Sequence, residues 1–163
     1  MPEDPARRFL AKAVRAGCVL SGLAPWLLPL ARAWLPLGAA GVVLDAAFVT
    51  TCHRLPERTL VLADVAMPVC SRCAGIFAGV AVGALLAWPG LAPRAWRLAI
   101  TAASLGMLAD VVTQDAGLHP VWHPVRLATG FLFGYALAAA GVSALRREPE
   151  RDDAEGDDVA PAR

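Results

Sequence analysis

Apolar residues in this chain are gathered into long runs separated by short polar stretches, and that segregation constrains the fold more than any other feature. An α-helix needs about 20 predominantly apolar residues to cross the hydrocarbon core of a bilayer. Four runs of roughly that kind are present, at Ala16–Leu35, Cys70–Trp88, Ala95–Val112 and Val125–Leu145. A further segment, Leu37–Thr51, is 15 residues long with Asp45 near its middle, so it reads as a half-helix or a short fifth span. Composition agrees: 57% of residues are hydrophobic and only 18% charged, with a mean hydropathy of +0.53. Soluble domains carry about a quarter charged residues. The expected fold is an all-α, polytopic transmembrane helix bundle.

The flanks are polar. Residues 1–15 read as a basic N-terminal tail, 16–145 as the transmembrane domain with a Cys/His-rich loop at 52–73, and 146–163 as an acidic, disordered tail. Arg7-Arg8-Phe9-Leu10 precedes an apolar run, but that run holds Pro25 and Pro29, and Arg32 interrupts its Ala31–Ala33 site. The segment therefore reads as a retained first span and not as a removed signal. Arginines set the orientation. Four spans with an inner N-terminus put the basic residues at 7, 8, 12, 15, 94, 97, 146, 147 and 151 inside, against Arg32, Arg54, Arg58, Arg72 and Arg126 outside. The expectation is a multi-pass protein of the bacterial cytoplasmic (inner) membrane with the 52–73 loop facing outward. Two spans separate that loop from the one at Thr113–Arg126, so the two share a face in either orientation. No basic, aromatic-interleaved patch points to nucleic acid, and the partner implied is the lipid bilayer.

The residues with chemistry collect on that shared face. Cys70 and Cys73 are spaced i, i+3, so at a helix start both thiols lie on one side, a turn apart. Cys52-His53 lies upstream, and His119 and His123 lie in the second loop. Two soft ligands from a turn and two from a neighbouring segment is how tetrahedral zinc sites are assembled. The candidate ligands are Cys52, Cys70 and Cys73, with His53, His119 or His123 as the fourth. Adjacent residues such as Cys52 and His53 rarely serve one ion, which leaves the fourth ligand open. A membrane thiol–disulfide oxidoreductase using Cys70-x-x-Cys73 is the competing reading, and a non-catalytic transport or assembly component is a third. Cys18, alone in the first span, reads as packing.

A second constellation is Asp110, Gln114, Asp115 and Arg126, near the end of the third run and the start of the fourth. Ionisable groups at membrane depth need partners and are functional candidates by default. Arg126 is the expected partner of Asp110, and Arg58 or Arg72 of Asp45. Asp110, Gln114, Arg126, Arg58 and Arg72 are the candidates for any catalytic role. Gly75, Gly79 and Gly83, and again Gly130 and Gly134, form small-xxx-small ladders. These read as close helix packing within the bundle, and they also offer a face for a homo-oligomer.

The run Cys52-His53-Arg54-Leu55-Pro56-Glu57-Arg58-Thr59, followed by Pro68-Val69-Cys70-Ser71-Arg72-Cys73-Ala74-Gly75-Ile76, resembles the core pattern of the prokaryotic membrane family called domain of unknown function 2085. Asp110, Thr113-Gln114, Arg126 and Thr129-Gly130 resemble its second block. The resemblance covers about Val49–Gly134 and implies a multi-span membrane protein, with no activity attached. Arg54 stands where the family usually has Gln, and His119–Pro124 replaces a stretch rich in Ser and Asn.

Overall fold

The computed structural model describes residues 5–156. Its elements are α1 (Pro5–Trp34), α2 (Gly38–Val49), a hairpin of β1 (Thr59–Leu62) and β2 (Val65–Cys70), α3 (Ser71–Leu86), α4 (Pro93–Asp115) and α5 (His123–Gly156). A single 3-10 turn, Pro56–Arg58, leads into β1. The fold is mostly helical, as the segregated apolar runs require.

Three helices are long and apolar enough to cross a membrane: Arg8–Trp34, Pro93–Asp115 and His123–Leu145. The apolar run that begins at Cys70 yields a shorter helix than its length suggests. Cys70 is still extended and belongs to β2, and Ala87 turns left-handed (φ 46°) just past Leu86. The resulting α3 has 16 residues, about 24 Å at 1.5 Å per residue. Large apolar side chains such as Leu20, Leu98, Leu105 and Leu132 point outward from the bundle. In water such a surface would be an aggregation liability; in lipid it is the compatible one.

Two boundaries differ from the sequence expectation. Helix α1 begins at Pro5, so Lys12 and Arg15 ride on its first turns and do not form a separate tail. Helix α5 continues to Gly156, through the segment expected to be disordered; extending an existing helix needs no new nucleus. Residues 157–163 of the acidic tail lie outside the described residues.

Packing centres on α3. Gly75, Gly79 and Gly83 face Leu127, Phe131 and Tyr135 of α5, while Gly130 and Gly134 of α5 face Arg72 and Ile76. In every case a Cβ would meet backbone atoms of the other helix. The ascending order makes α3 and α5 parallel, and both ladders are used inside one chain; a homo-oligomer would draw on other surfaces. Helix α1 runs antiparallel along α3: Gly22 meets Phe77 and Ala81, and the Trp26 indole N–H donates to the Ala74 carbonyl at 3.1 Å. Cys18 packs beside Ala84 and Val142, as a lone apolar thiol should. The start of α3, the end of α4 and the start of α5 therefore meet at one end of the bundle, bringing the two polar loops together.

Candidate metal centre

The thiols are brought together by the hairpin. Thr59 pairs with Cys70, and Leu62 with Val65, around a two-residue turn in which Ala63 and Asp64 both have positive φ. The inward side chains Met67 and Val69 are almost fully buried, against Trp26, Phe48, Phe77 and Leu127. This apolar cushion fixes the last strand residue, Cys70, at the mouth of α3, with Cys73 one turn further on. Cys52 follows α2 directly: its N–H donates to the Phe48 carbonyl at 3.1 Å. The Cys52 sulfur in turn accepts the Cys70 N–H at 3.2 Å.

The three sulfurs of Cys52, Cys70 and Cys73 lie within 4.8 Å of one another, and none is in a disulfide. Cys52 is buried and the other two are half-buried. The Cys70 thiol is pulled down from 9.0 to about 4, chiefly because Cys73 donates to it, with burial opposing and Cys52 and Arg126 adding to the effect. Its charged form is thus favoured by folding. The sign follows from linkage: the stabilisation is complete above pH 9, falls as the pH drops, and is gone below about 4. Metal-free, reduced protein should accordingly show one thiolate in its ultraviolet absorbance that persists to about pH 4 and is absent from Cys70→Ser. A protein whose first thiol ionises near 9 would contradict this arrangement.

No histidine joins the thiol group among the described residues. His53 is exposed beside Cys52. His119 is engaged elsewhere: Nδ1 lies 2.9 Å from the Pro120 carbonyl, Nε2 lies 2.9 Å from the Thr113 hydroxyl, and the ring stacks on Trp122. A ring nitrogen facing a carbonyl must donate, so Nδ1 carries the hydrogen. His123 opens α5, and its buried Nδ1 has no hydrogen-bond partner. The expected fourth histidine is therefore not in place.

The ion pairs also differ from the expected ones. Asp110 is bound by Arg72, not by Arg126. The reason is helix geometry: Arg72 occupies the first turn of α3 and reaches across to the last turns of α4. Arg126 is 2% exposed and instead donates to Gln114, to Ser71 at 3.2 Å, and to the Cys70 sulfur at 4.0 Å. Asp45 is held by Arg32 and, at 3.6 Å, by Arg54, because α2 folds back onto the end of α1. Arg58 pairs with Asp115 at 3.3 Å. The four residues Arg32, Arg54, Arg58 and Arg72 each have a carboxylate, whereas the buried Arg126 has only neutral partners and the cysteine sulfur. Ser71 was not singled out from sequence. Its place between Cys70 and Arg72 was the available signal, and its hydroxyl is a buried acceptor for Arg126.

Fold and site together define a helical membrane protein with a thiol triad and an adjoining Arg/Asp/Gln cluster at one end of its bundle. The family model described as "Predicted membrane protein (DUF2085)" matches residues 52–140, and the chain belongs to that family. It is 33% identical over 103 residues to an uncharacterized protein of Methanocaldococcus jannaschii, covering 59% of this chain and 64% of that one. It is 35% identical over 91 residues to an uncharacterized protein of Methanothermobacter thermautotrophicus, covering 53% of this chain and 80% of the relative. This chain thus spans less than two thirds of the first relative. No solved structure matches.

Proposed function

We propose that Cys52, Cys70 and Cys73 hold a zinc ion at one face of the membrane. The observation that carries the reading is the convergence of three unbonded sulfurs within 4.8 Å from two separate segments. Tetrahedral zinc with bonds of about 2.3 Å sets sulfurs roughly 3.8 Å apart, a small contraction from that arrangement. Arg126, at 4.0 Å from the Cys70 sulfur, offsets part of the charge of a three-thiolate set. Zinc held by these three thiolates alone would keep a position open and would supply Lewis-acid chemistry there. Arg126 joins the thiols to Gln114 of α4, and Arg72, between Cys70 and Cys73 in the chain, is paired with Asp110. Orientation supports an outward-facing site in a cytoplasmic membrane, of the bacterial inner-membrane kind. The arginines near the thiols are engaged in ion pairs or buried, so they weigh little as topology signals, whereas Lys12, Arg94 and Arg97 sit at the other end.

Protein purified in detergent should contain about one zinc per chain. Cys70→Ser and Cys73→Ser should each lose most of it, whereas Cys18→Ser should keep it. His53→Ala, His119→Ala and His123→Ala should also keep it. The redox reading is favoured by the Cys70 thiolate next to Cys73: the thiolate attacks a substrate disulfide, Cys73 displaces the reduced product, and two electrons leave the dithiol. Metal-free protein isolated without reductant and carrying a Cys70–Cys73 disulfide would establish that chemistry and remove the zinc assignment.

A further inference from the structure

At the opposite end of the bundle, α4 and α5 part around a groove of about 180 Å³ bordered by Pro93, Trp96, Arg97, Ile100, Ala140 and Ser143. Its walls are almost wholly apolar, with Arg97 on the α4 side and Ser143 on the α5 side. Trp96 is 5% exposed, yet its indole N–H has no acceptor. An indole is a donor only, and leaving a buried donor unbonded is costly. Helix α4 begins there with Pro93 in its first turn and no side-chain cap on Ala92. The positive end of this 23-residue helix has no acidic residue in its own first turn. Arg94 and Arg97 are exposed beside it, and neither forms an ion pair among the described residues.

Arg97 and an uncapped helix start thus flank an apolar slot between two helices long enough to span, with Arg94 exposed in the same helical turn. The complementary ligand carries an anion joined to an apolar chain. We propose that this groove binds an anionic phospholipid of the adjoining leaflet, its phosphate against Arg94, Arg97 and the α4 start and an acyl chain along Ile100 and Ala140. Basic pockets between spanning helices on the inner side take anionic headgroups on the same physical grounds. A zwitterionic lipid brings its own ammonium to the arginines, and a free phosphate cannot fill the slot.

The test uses full-length protein, delipidated in neutral detergent and titrated with phosphatidylglycerol, with phosphatidylcholine of the same chains, and with inorganic phosphate. Native mass spectrometry counts bound lipid, and melting temperature reports stabilisation. Phosphatidylglycerol should bind in preference and raise the melting temperature, whereas inorganic phosphate should not. Arg94→Gln and Arg97→Gln should each weaken phosphatidylglycerol roughly fivefold, as expected for one cation at a lipid surface, and leave phosphatidylcholine unchanged. Equal retention of the two lipids, protection by phosphate alone, or unaltered binding in the Arg94→Gln/Arg97→Gln double variant would each overturn the assignment. Zinc content serves as a control from the far end of the bundle and should not change in any of these variants.

Discussion

Gly79→Ala should unfold or grossly destabilise the protein, whereas Gly106→Ala should leave it intact. The two substitutions add the same methyl group to helical glycines and differ only in surroundings. A Cβ at Gly79 would fall on the Phe131 carbonyl and 2.7 Å from the Tyr135 nitrogen. Both are backbone atoms of a helix and cannot turn aside as a side chain would. The seam must open along its length, and opening it separates Ser71 from Arg126 and disturbs the thiol end as well. Overpacking costs about 1–3 kcal/mol where side chains can shift, and a backbone-to-backbone clash should lie at or beyond the top of that range. Gly106 has nothing within 4 Å of its would-be Cβ, and alanine there should gain up to about 1 kcal/mol in helix propensity. Thermal unfolding in detergent compares them directly. Equal melting points for the two variants would show that α3 and α5 do not touch along this line.

That seam was legible in the sequence because a four-residue repeat of glycine has few other uses in an apolar helix. The helices were legible for a similar reason: apolar runs report burial in lipid or protein whatever the neighbours are. The hairpin was harder. Thr59–Leu62 and Val65–Cys70 hold several β-branched residues, but the turn between them is Ala63-Asp64, and both residues adopt positive φ. Asn-Gly or Asp-Gly is the signal that normally marks such a turn. Pro68 within β2 also argues against a strand unless the strand lies at an edge, as it does in a sheet of two. The segment therefore reads as a polar loop until its pairing is seen.

The thiol triad was legible from spacing, since Cys70 and Cys73 at a helix start must share a side. The histidines were not placeable by the same reasoning. Cys/His proximity along the chain fixes which end of the bundle a residue occupies, but ring direction depends on local bonds such as those of His119 to Thr113 and Pro120. Ion pairing fails to transfer for the same reason. Arg72 and Arg126 both begin helices at the same end, and which of them reaches Asp110 is decided by the rotation of α3 and α5 about their axes. The glycine seam sets that rotation, turning Arg126 inward toward Ser71 and Cys70 and leaving Arg72 to the carboxylate.

Two double-mutant cycles distinguish these pairings. Asp110 and Arg72 side chains are 5% and 14% exposed, so each depends on the other to offset a charge held away from water. Removing one partner of such a pair costs about 3–5 kcal/mol, because the remaining charge stays buried and uncompensated. Asp110→Asn and Arg72→Gln should each show a loss of that order, and the double variant should lose far less than their sum. The coupling is the quantity to measure, since each single loss also includes altered packing. Arg126→Gln combined with Asp110→Asn should behave differently. Arg126 bonds Gln114 and Ser71 and faces the Cys70 sulfur, so its loss leaves the carboxylate paired and should combine with Asp110→Asn nearly additively. Arg126→Gln should instead weaken zinc retention, through the loss of the cation nearest the thiolates, while Arg72→Gln should affect zinc little. A larger coupling for Arg126 with Asp110 than for Arg72 with Asp110 would reverse the assignment and return the carboxylate to the α5 arginine.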